Sequence, residues 1–186
     1  ENRQLLSMSA EKSQLNSAWC LWYESRKEVA EEEEEWGTQQ KKVASFSTVE
    51  DFWRVYNNIL PASKLEPNHM YHFFKEGIQP SWEDEANANG GCWRFGIRPA
   101  EHLFEEKWMT LLLSVLGETL DPTGNSVCGI SMVMKQKGAR IELWMKSAED
   151  VAAIATVGRR LRQLNVVDKK EKLEFRKHMG DVMYVL

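Results

Sequence analysis

The sequence predicts an α+β fold, an antiparallel sheet with helices packed on one of its faces, and three observations carry that reading. Short apolar runs of strand character recur between Ser17 and Met145. Three intervening segments repeat their apolar residues at helical spacing. Two of the strand-like runs adjoin across a polar turn as a hairpin, and the chain shows no internal repeat.

In chain order, Ala18-Trp19-Cys20-Leu21-Trp22-Tyr23 reads as a strand apolar on both faces, closed by a charged stretch. Glu31 to Glu35 is an unbroken acidic run of the kind usually found in a solvated loop, and it stops at Trp36 and Gly37. Thr48 is placed to cap a helix. Glu50 and Asp51 suit the positive end of its dipole, and Val49, Phe52, Trp53 and Tyr56 fall at helical spacing. Pro61, Pro67, Gly77 and Pro80 mark a mostly irregular stretch that carries Trp82, Glu83, Asp84 and Glu85 to a turn at Gly90 and Gly91.

Cys92 to Ile97 reads as a strand. Pro99 suits a helix start, and Leu103, Phe104, Trp108, Leu111, Leu112, Val115 and Leu116 form the stripe of a helix ending near Gly117. Val127 to Lys135 and Arg140 to Met145 form the hairpin, joined across Gln136 to Ala139. Ser147 is placed to cap a third helix carrying Val151, Ile154, Val157 and Leu161. The tail from Asp168 to Lys177 is highly charged and weakly specified.

A chain of 186 residues is expected to be one domain, with residues 1–14 a flexible N-terminal segment and 168–186 a divergent C-terminal one. Its 42 % hydrophobic and 28 % charged fractions are those of a soluble globular protein. No apolar run approaches the roughly 20 residues that cross a bilayer, so no membrane partner is expected. Glu1 to Lys12 lacks the apolar stretch of a secretory signal. Cys20, Cys92 and Cys128 are odd in number and widely separated, which fits a reducing compartment, the cytoplasm or also the nucleus, and offers no structural metal site. A net charge of −4 opposes a protein that grips many phosphates but leaves room for one that reads a single nucleotide.

Eight tryptophans are several times the ordinary usage. Indoles anchor cores, and they are also the best faces for stacking bases and cations. Trp19, Trp22, Trp93 and Trp108 sit in apolar strand or helix stripes and read as core. Trp53 suits either the core or an exposed docking patch. Trp36 and Trp82 lie in acid-rich or turn-rich segments without apolar periodicity, where a binding role competes with burial.

The segments Thr48-Val49-Glu50-Asp51-Phe52-Trp53, Gly77 to Glu85 and Gly90-Gly91-Cys92-Trp93 closely resemble the eukaryotic translation initiation factor 4E family of mRNA cap-binding proteins. So do Leu113 to Glu118, Val127-Cys128-Gly129 and Ile141-Glu142-Leu143-Trp144, and all eight tryptophans fall where that family has them. The resemblance covers roughly Leu15 to Leu164. It implies a curved antiparallel sheet of about eight strands with three long helices on its convex side and a slot for the 7-methylguanosine cap on its concave side. It implies no cofactor and no enzymatic activity.

By position, the resemblance makes Trp36 and Trp82 the two stacking residues, Glu83 the acceptor for the base N1 and N2 donors, and Trp144 the contact to the N7-methyl group. Methylation at N7 makes the base cationic, and a cation between two indoles gains roughly 0.5–2 kcal/mol per face. Lys135, Lys137 and Arg140 would meet the phosphates. Lys135 stands where the family usually has arginine, Arg140 where it often has lysine, and Cys92 where it usually has a further arginine. Val49, Trp53, Met109, Leu113, Gly117 and Glu118 would form a dorsal surface. It would dock a partner helix of the Tyr-x4-Leu-hydrophobic kind, carried by a 4G-type scaffold factor or a 4E-binding repressor. Ser13 and Gln14 replace the family's His-Pro, and Thr110 replaces an acidic residue. Lys169, Lys170, Lys172, Arg176 and Lys177 are candidates for further basic contacts, against the commoner reading of a solvated tail. The chain alone is expected to be monomeric.

Competing chemistries find less support. Lys27 to Glu32 superficially resembles the glutamate-rich box of Nudix hydrolases, but Lys27 replaces the expected arginine and Glu34 the required glycine. No P-loop, Gly-x-Ser-x-Gly elbow or CxxC pair occurs. His69 and His72 have a spacing that would share a helical face, yet no further zinc ligand lies near, and His102 and His178 show no partner. A relative that has lost cap binding and acts through its dorsal surface is the remaining alternative.

Overall fold

The computed structural model describes residues 12–25, 39–98 and 103–186. In chain order it contains β1 (Gln14–Ser25), β2 (Gln39–Thr48), α1 (Val49–Tyr56), β3 (His69–Lys75), β4 (Gly91–Ile97), α2 (Phe104–Leu116), β5 (Val127–Lys135), β6 (Gly138–Met145), α3 (Val151–Gln163), β7 (Glu174–Lys177) and β8 (Val182–Val185). The strands form one curved sheet in the order β2-β1-β3-β5-β6-β4-β7-β8, antiparallel throughout.

Because successive strand residues point to opposite faces, each strand is divided between two environments. Trp19, Phe73, Trp93, Ile130, Leu143 and Phe175 point to one face and share a core with Phe52 of α1, Trp108 and Leu112 of α2, and Ile154 and Leu161 of α3. All three helices therefore pack on that face, as expected, although α1 is only eight residues long against thirteen each for α2 and α3. The alternate residues meet a much smaller apolar cluster of Phe74, Cys92, Cys128 and Trp144 on the opposite face. Trp22, expected in the core, falls on this second side, because its neighbours Leu21 and Tyr23 are the ones that pack with the helices.

Thr48 caps α1 as expected: its hydroxyl accepts from the Asp51 N–H at 3.1 Å and donates to the Asp51 carboxylate at 2.8 Å. The cap of α3 is Asp150 rather than Ser147. Asp150 accepts from the Ala153 N–H at 3.0 Å, while Ser147 turns the chain out of β6 by accepting from the Glu149 N–H. Pro99 and His102 lie outside the described residues, and α2 begins at Phe104 without a side-chain cap.

Two regions read as irregular or weakly specified are strands. β3 lies inside the sheet between β1 and β5, and Met70 to Phe74 are buried on both faces, so no polar–apolar alternation marks it. A strand also places His69 and His72 on opposite faces, which removes the shared ligand face. The His69 ring meets the Tyr23 hydroxyl, and the His72 ring meets Ser131 and Glu24. The charged tail supplies β7 and β8, in which Phe175 enters the core while Glu174 and Arg176 take the opposite face.

Candidate functional site

The face away from the helices is organised along β6, whose residues Trp144, Glu142 and Arg140 point to it in turn. At one end the small cluster of Phe74, Cys92, Cys128 and Trp144 makes an apolar pedestal. The Trp144 ring meets Phe74 edge-on at 5.4 Å and lies against the His178 ring at 4.1 Å, leaving Trp144 only 9 % exposed. Gly129 is required here, since a Cβ on it would stand 2.4 Å from the Phe74 ring. Burial pushes the Cys92 thiol up to about 12 and the Cys128 thiol to about 11, and it holds His178 down at about 4. All three side chains are thus neutral near pH 7.

Above the pedestal runs the loop from β3 to β4. Asn87, fully buried, donates from its amide to the Gln79 carbonyl at 2.9 Å and the Ser81 carbonyl at 2.8 Å. The Asp84 carboxylate accepts from the N–H groups of Gln79 and Ala86. Gly90 closes the loop against the backbone, where a Cβ would come within 2.2 Å of the Met145 carbonyl. This scaffold holds Trp82 47 % exposed, with the exposed carboxylate of Glu83 next to it, accepting from the Ser81 hydroxyl. An indole so presented, among neighbours with no apolar stripe to bury it, is available for stacking. Trp36, the other stacking candidate, lies outside the described residues.

The other end of the face is cationic. Lys135 ends β5 with its ammonium 3.5 Å from the Asn68 side-chain oxygen, and Lys137 is exposed in the two-residue turn between the paired Lys135 and Gly138. Arg140 shares a side of the sheet with Lys135 and is ion-paired to Glu142 at 3.0 Å. Arg94, which sequence reasoning did not single out, pairs with the same carboxylate oxygen at 2.7 Å. That oxygen makes no aligned hydrogen bond, so both contacts are ion pairs rather than directed bonds. Cys92 pairs in register with Trp144 and belongs to the apolar end, not the cationic one. Of the basic tail residues, Lys170 and Lys172 line a groove with Arg94, Lys135 and Arg140.

The model of the family "Eukaryotic initiation factor 4E" matches residues 14–183. The chain belongs to that family. It is 39 % identical over 170 residues to the eukaryotic translation initiation factor 4E of Candida albicans, covering 90 % of this chain and 80 % of the relative. It is 36 % identical to factor 4E-1 of Schizosaccharomyces pombe, covering 90 % and 76 %. Among solved structures, eIF4E-3 of Ascaris suum in complex with an m2,2,7G cap superposes with a TM-score of 0.83 at 32 % identity, covering 94 % of this chain and 98 % of that one. The C. elegans eIF4E-3 complex with the 4E-binding protein Mextli and a cap analog gives 0.82 at 33 % identity, covering 94 % and 99 %.

On the helical side of the chain, the dorsal candidates divide. Val49 and Leu113 are exposed, and Trp53 and Met109 are half-buried against the core. The Trp53 ring meets Phe52 edge-on at 5.0 Å and Tyr56 at 6.1 Å, and the rest of the indole is partly exposed. Gly117 is exposed at the end of α2. Glu118 is engaged within the chain: its carboxylate accepts from Ser17 at 2.5 Å and pairs with Lys75 at 2.9 Å. Burial alone would raise its pKa, but those two partners outweigh burial and hold it low. Ser13 and Gln14 also have a structural role. Gln14 opens β1, the Ser13 N–H donates to the Glu50 carboxylate, and Lys12 pairs with Asp51 at 2.8 Å, clasping the chain to the first turn of α1.

Proposed function

We propose that this chain binds the 7-methylguanosine 5′ cap of mRNA as a single cap-binding domain and recruits a partner through its dorsal helices, in translation initiation or its regulation. The observation that carries the reading is the alignment of three features along one face: Trp82 and Glu83 held out on a built loop, Trp144 below them, and cations toward the hairpin. Trp82 stacks one side of the cationic base and Trp36 the other. Glu83 accepts from N1 and N2, bonds strengthened by the methyl-derived charge. Lys135, Lys137 and Arg140 take the phosphates.

Capped mRNA is thus one partner. The other is a 4G-type scaffold or 4E-binding repressor whose Tyr-x4-Leu-hydrophobic helix lies on Val49, Trp53, Met109 and Leu113, with Gly117 and Glu118 at the edge. What supports this half is the pairing of exposed Val49 and Leu113 with half-open Trp53, together with the Mextli complex of C. elegans eIF4E-3. The work is done in the cytoplasm, with the nucleus a second location, and the chain is monomeric until a partner binds.

Titration of tryptophan fluorescence with 7-methylguanosine triphosphate against guanosine triphosphate tests the proposal. Tighter binding of the methylated nucleotide by about tenfold or more, roughly 1.4 kcal/mol, is expected. Equal binding of the two would overturn it and leave a dorsal-surface adaptor as the better reading.

A further inference from the structure

Two residues on the cationic end belong to none of the positions assigned above. Arg94 on β4 and Glu142 on β6 are direct cross-strand partners, one same-face step from the pair Cys92 and Trp144 and one from Gly96 and Arg140. Same-face residues on a strand lie about 6.7 Å apart. Arg94 therefore stands between the base end and the hairpin end, where a phosphate chain leaving the base has to pass.

Glu142 is only 7 % exposed, and one of its oxygens takes Arg94 Nη2 at 2.7 Å and Arg140 Nε at 3.0 Å. Each guanidinium offers five N–H donors; the Nε of both is buried, and the terminal nitrogens not taken by Glu142 remain for a ligand. The two side chains are 31 % and 39 % exposed and open into a groove of about 500 Å³, which Lys135, Lys170 and Lys172 also line. Glu171 and Glu174 temper that charge from the tail side. A buried carboxylate beneath two partly exposed guanidiniums offsets their mutual repulsion and tethers both at the groove, an arrangement suited to an anion.

We propose that Arg94 is a further phosphate-binding residue of this chain, acting together with Arg140, and that Glu142 is the residue that positions both. The proposal rests on the cap-binding reading above. It assigns Arg94 chiefly to the second and third phosphates, the ones beyond the reach of the base pocket.

The test is a titration series with 7-methylguanosine mono-, di- and triphosphate on the wild type, Arg94→Gln, Arg94→Lys and Glu142→Gln. Arg94→Gln is expected to weaken the triphosphate about tenfold and leave the monophosphate within about twofold. Arg94→Lys, which keeps the charge but not the fork, should fall between. Glu142→Gln gives opposite signs for two explanations. Removing a negative charge near an anion would by simple charge arithmetic tighten binding, whereas loss of positioning weakens the triphosphate selectively. An Arg94→Gln loss equal across the three nucleotides, no loss at all, or tighter triphosphate binding by Glu142→Gln would overturn the proposal. If the wild type does not prefer methylated nucleotides, the cap reading itself fails. Calorimetry with inorganic triphosphate then decides for Arg94, weaker binding by Arg94→Gln supporting the anion site and unchanged binding refuting it.

Discussion

Asn87→Ala should weaken both the fold and the cap site, because this side chain is the fastening of the loop that presents Trp82. The amide donates two hydrogen bonds to loop carbonyls, each with a net value of about 1 kcal/mol. Gln79 is exposed and Ser81 half-buried, so water can reach those carbonyls once the amide is gone, which limits the penalty. The Asn87 side-chain oxygen has no hydrogen-bond partner among the described residues, so its removal costs nothing further. The expected loss is about 1–2 kcal/mol, or a fall in melting temperature of roughly 3–6 °C for a domain of this size. The effect on ligand should be larger than that on stability. Holding each loop residue in one conformation costs about 1 kcal/mol, and a loop released at Gln79 and Ser81 has to be reordered by the ligand. A loss of at least tenfold in affinity for 7-methylguanosine triphosphate follows, measured by fluorescence titration at a temperature where the variant is folded. Asn87→Asp, which keeps the shape but loses the donors and adds a charge beside Asp84, should be worse on both counts. An unchanged melting temperature would refute the fastening role. A fall in stability with cap affinity kept within about twofold would refute its link to Trp82.

Trp82→Ala and Glu83→Ala should each abolish retention on immobilised 7-methylguanosine triphosphate with the melting temperature unchanged, since both side chains are exposed; normal retention by either would remove it from the site. Trp53→Ala should spare cap binding and eliminate binding of a Tyr-x4-Leu-hydrophobic peptide, at a stability cost of about 1–2 kcal/mol because the ring is half-buried against Phe52. Equal loss of both activities would make Trp53 structural only. His178 titrates at about 4 in the fold because burial disfavours its charged form, with Glu142 opposing and Arg94 reinforcing, against 6.5 when free. Between those values the unfolded chain holds a proton that the folded chain does not, so stability falls as pH drops from 6.5 to 4 and this contribution is constant outside that window. The full shift would correspond to about 3 kcal/mol, and roughly 1–2 kcal/mol is expected for a half-buried ring screened by solvent. Urea midpoints at pH 7, 5.5 and 4.5 should therefore show wild type losing stability relative to His178→Gln as pH falls, and a constant difference would refute this assignment.

The elements that could be read from the sequence are those whose signal is local. α1 announces itself through Thr48, Glu50 and Asp51, and α2 through its apolar stripe, because capping and periodicity act within a few residues. The β5–β6 hairpin was legible for the same reason, though its turn is the pair Gln136 and Lys137 rather than four residues. β3 was not legible, since a strand covered on both faces loses its alternation and His69 and His72 disguise its apolar character. β7 and β8 are four residues each and depend on pairing with β4 and with one another, which no local pattern encodes. At the candidate site, Trp82, Glu83, Trp144, Lys135, Lys137 and Arg140 were singled out through the family resemblance. Asn87, Arg94 and Glu142 were missed because their importance lies in cross-loop and cross-strand partners. One signal was present: Arg94 and Glu142 are opposite charges at mid-strand positions that would otherwise favour apolar residues.

The division of the face into an end floored by an apolar cluster and a cationic end gives the departure at Cys92 a physical sense. Cys92 pairs with Trp144 and faces the same way, so a guanidinium at that position would sit beside the ring proposed to touch a positively charged base. With a thiol held neutral by burial, the charges at the base end are the acidic loop residues Glu83 and Asp84, which attract a cation, and the single cation Arg176, in register with Cys92 on β7. Arg94 is displaced from Cys92 by one same-face step, about 6.7 Å toward the hairpin. The charge withheld at Cys92 thus reappears where the ligand is anionic. Acidic groups over the base end, where Arg176 is the one cation in register with Cys92, and the cluster of Arg94, Lys135 and Arg140 along the phosphate end form a gradient opposite in sense to that of the ligand. Such complementarity disfavours a reversed nucleotide and an unmethylated base more than it raises the total attraction. Moving a positive charge back toward Trp144 should therefore cost selectivity for the methylated base before it costs affinity for the triphosphate.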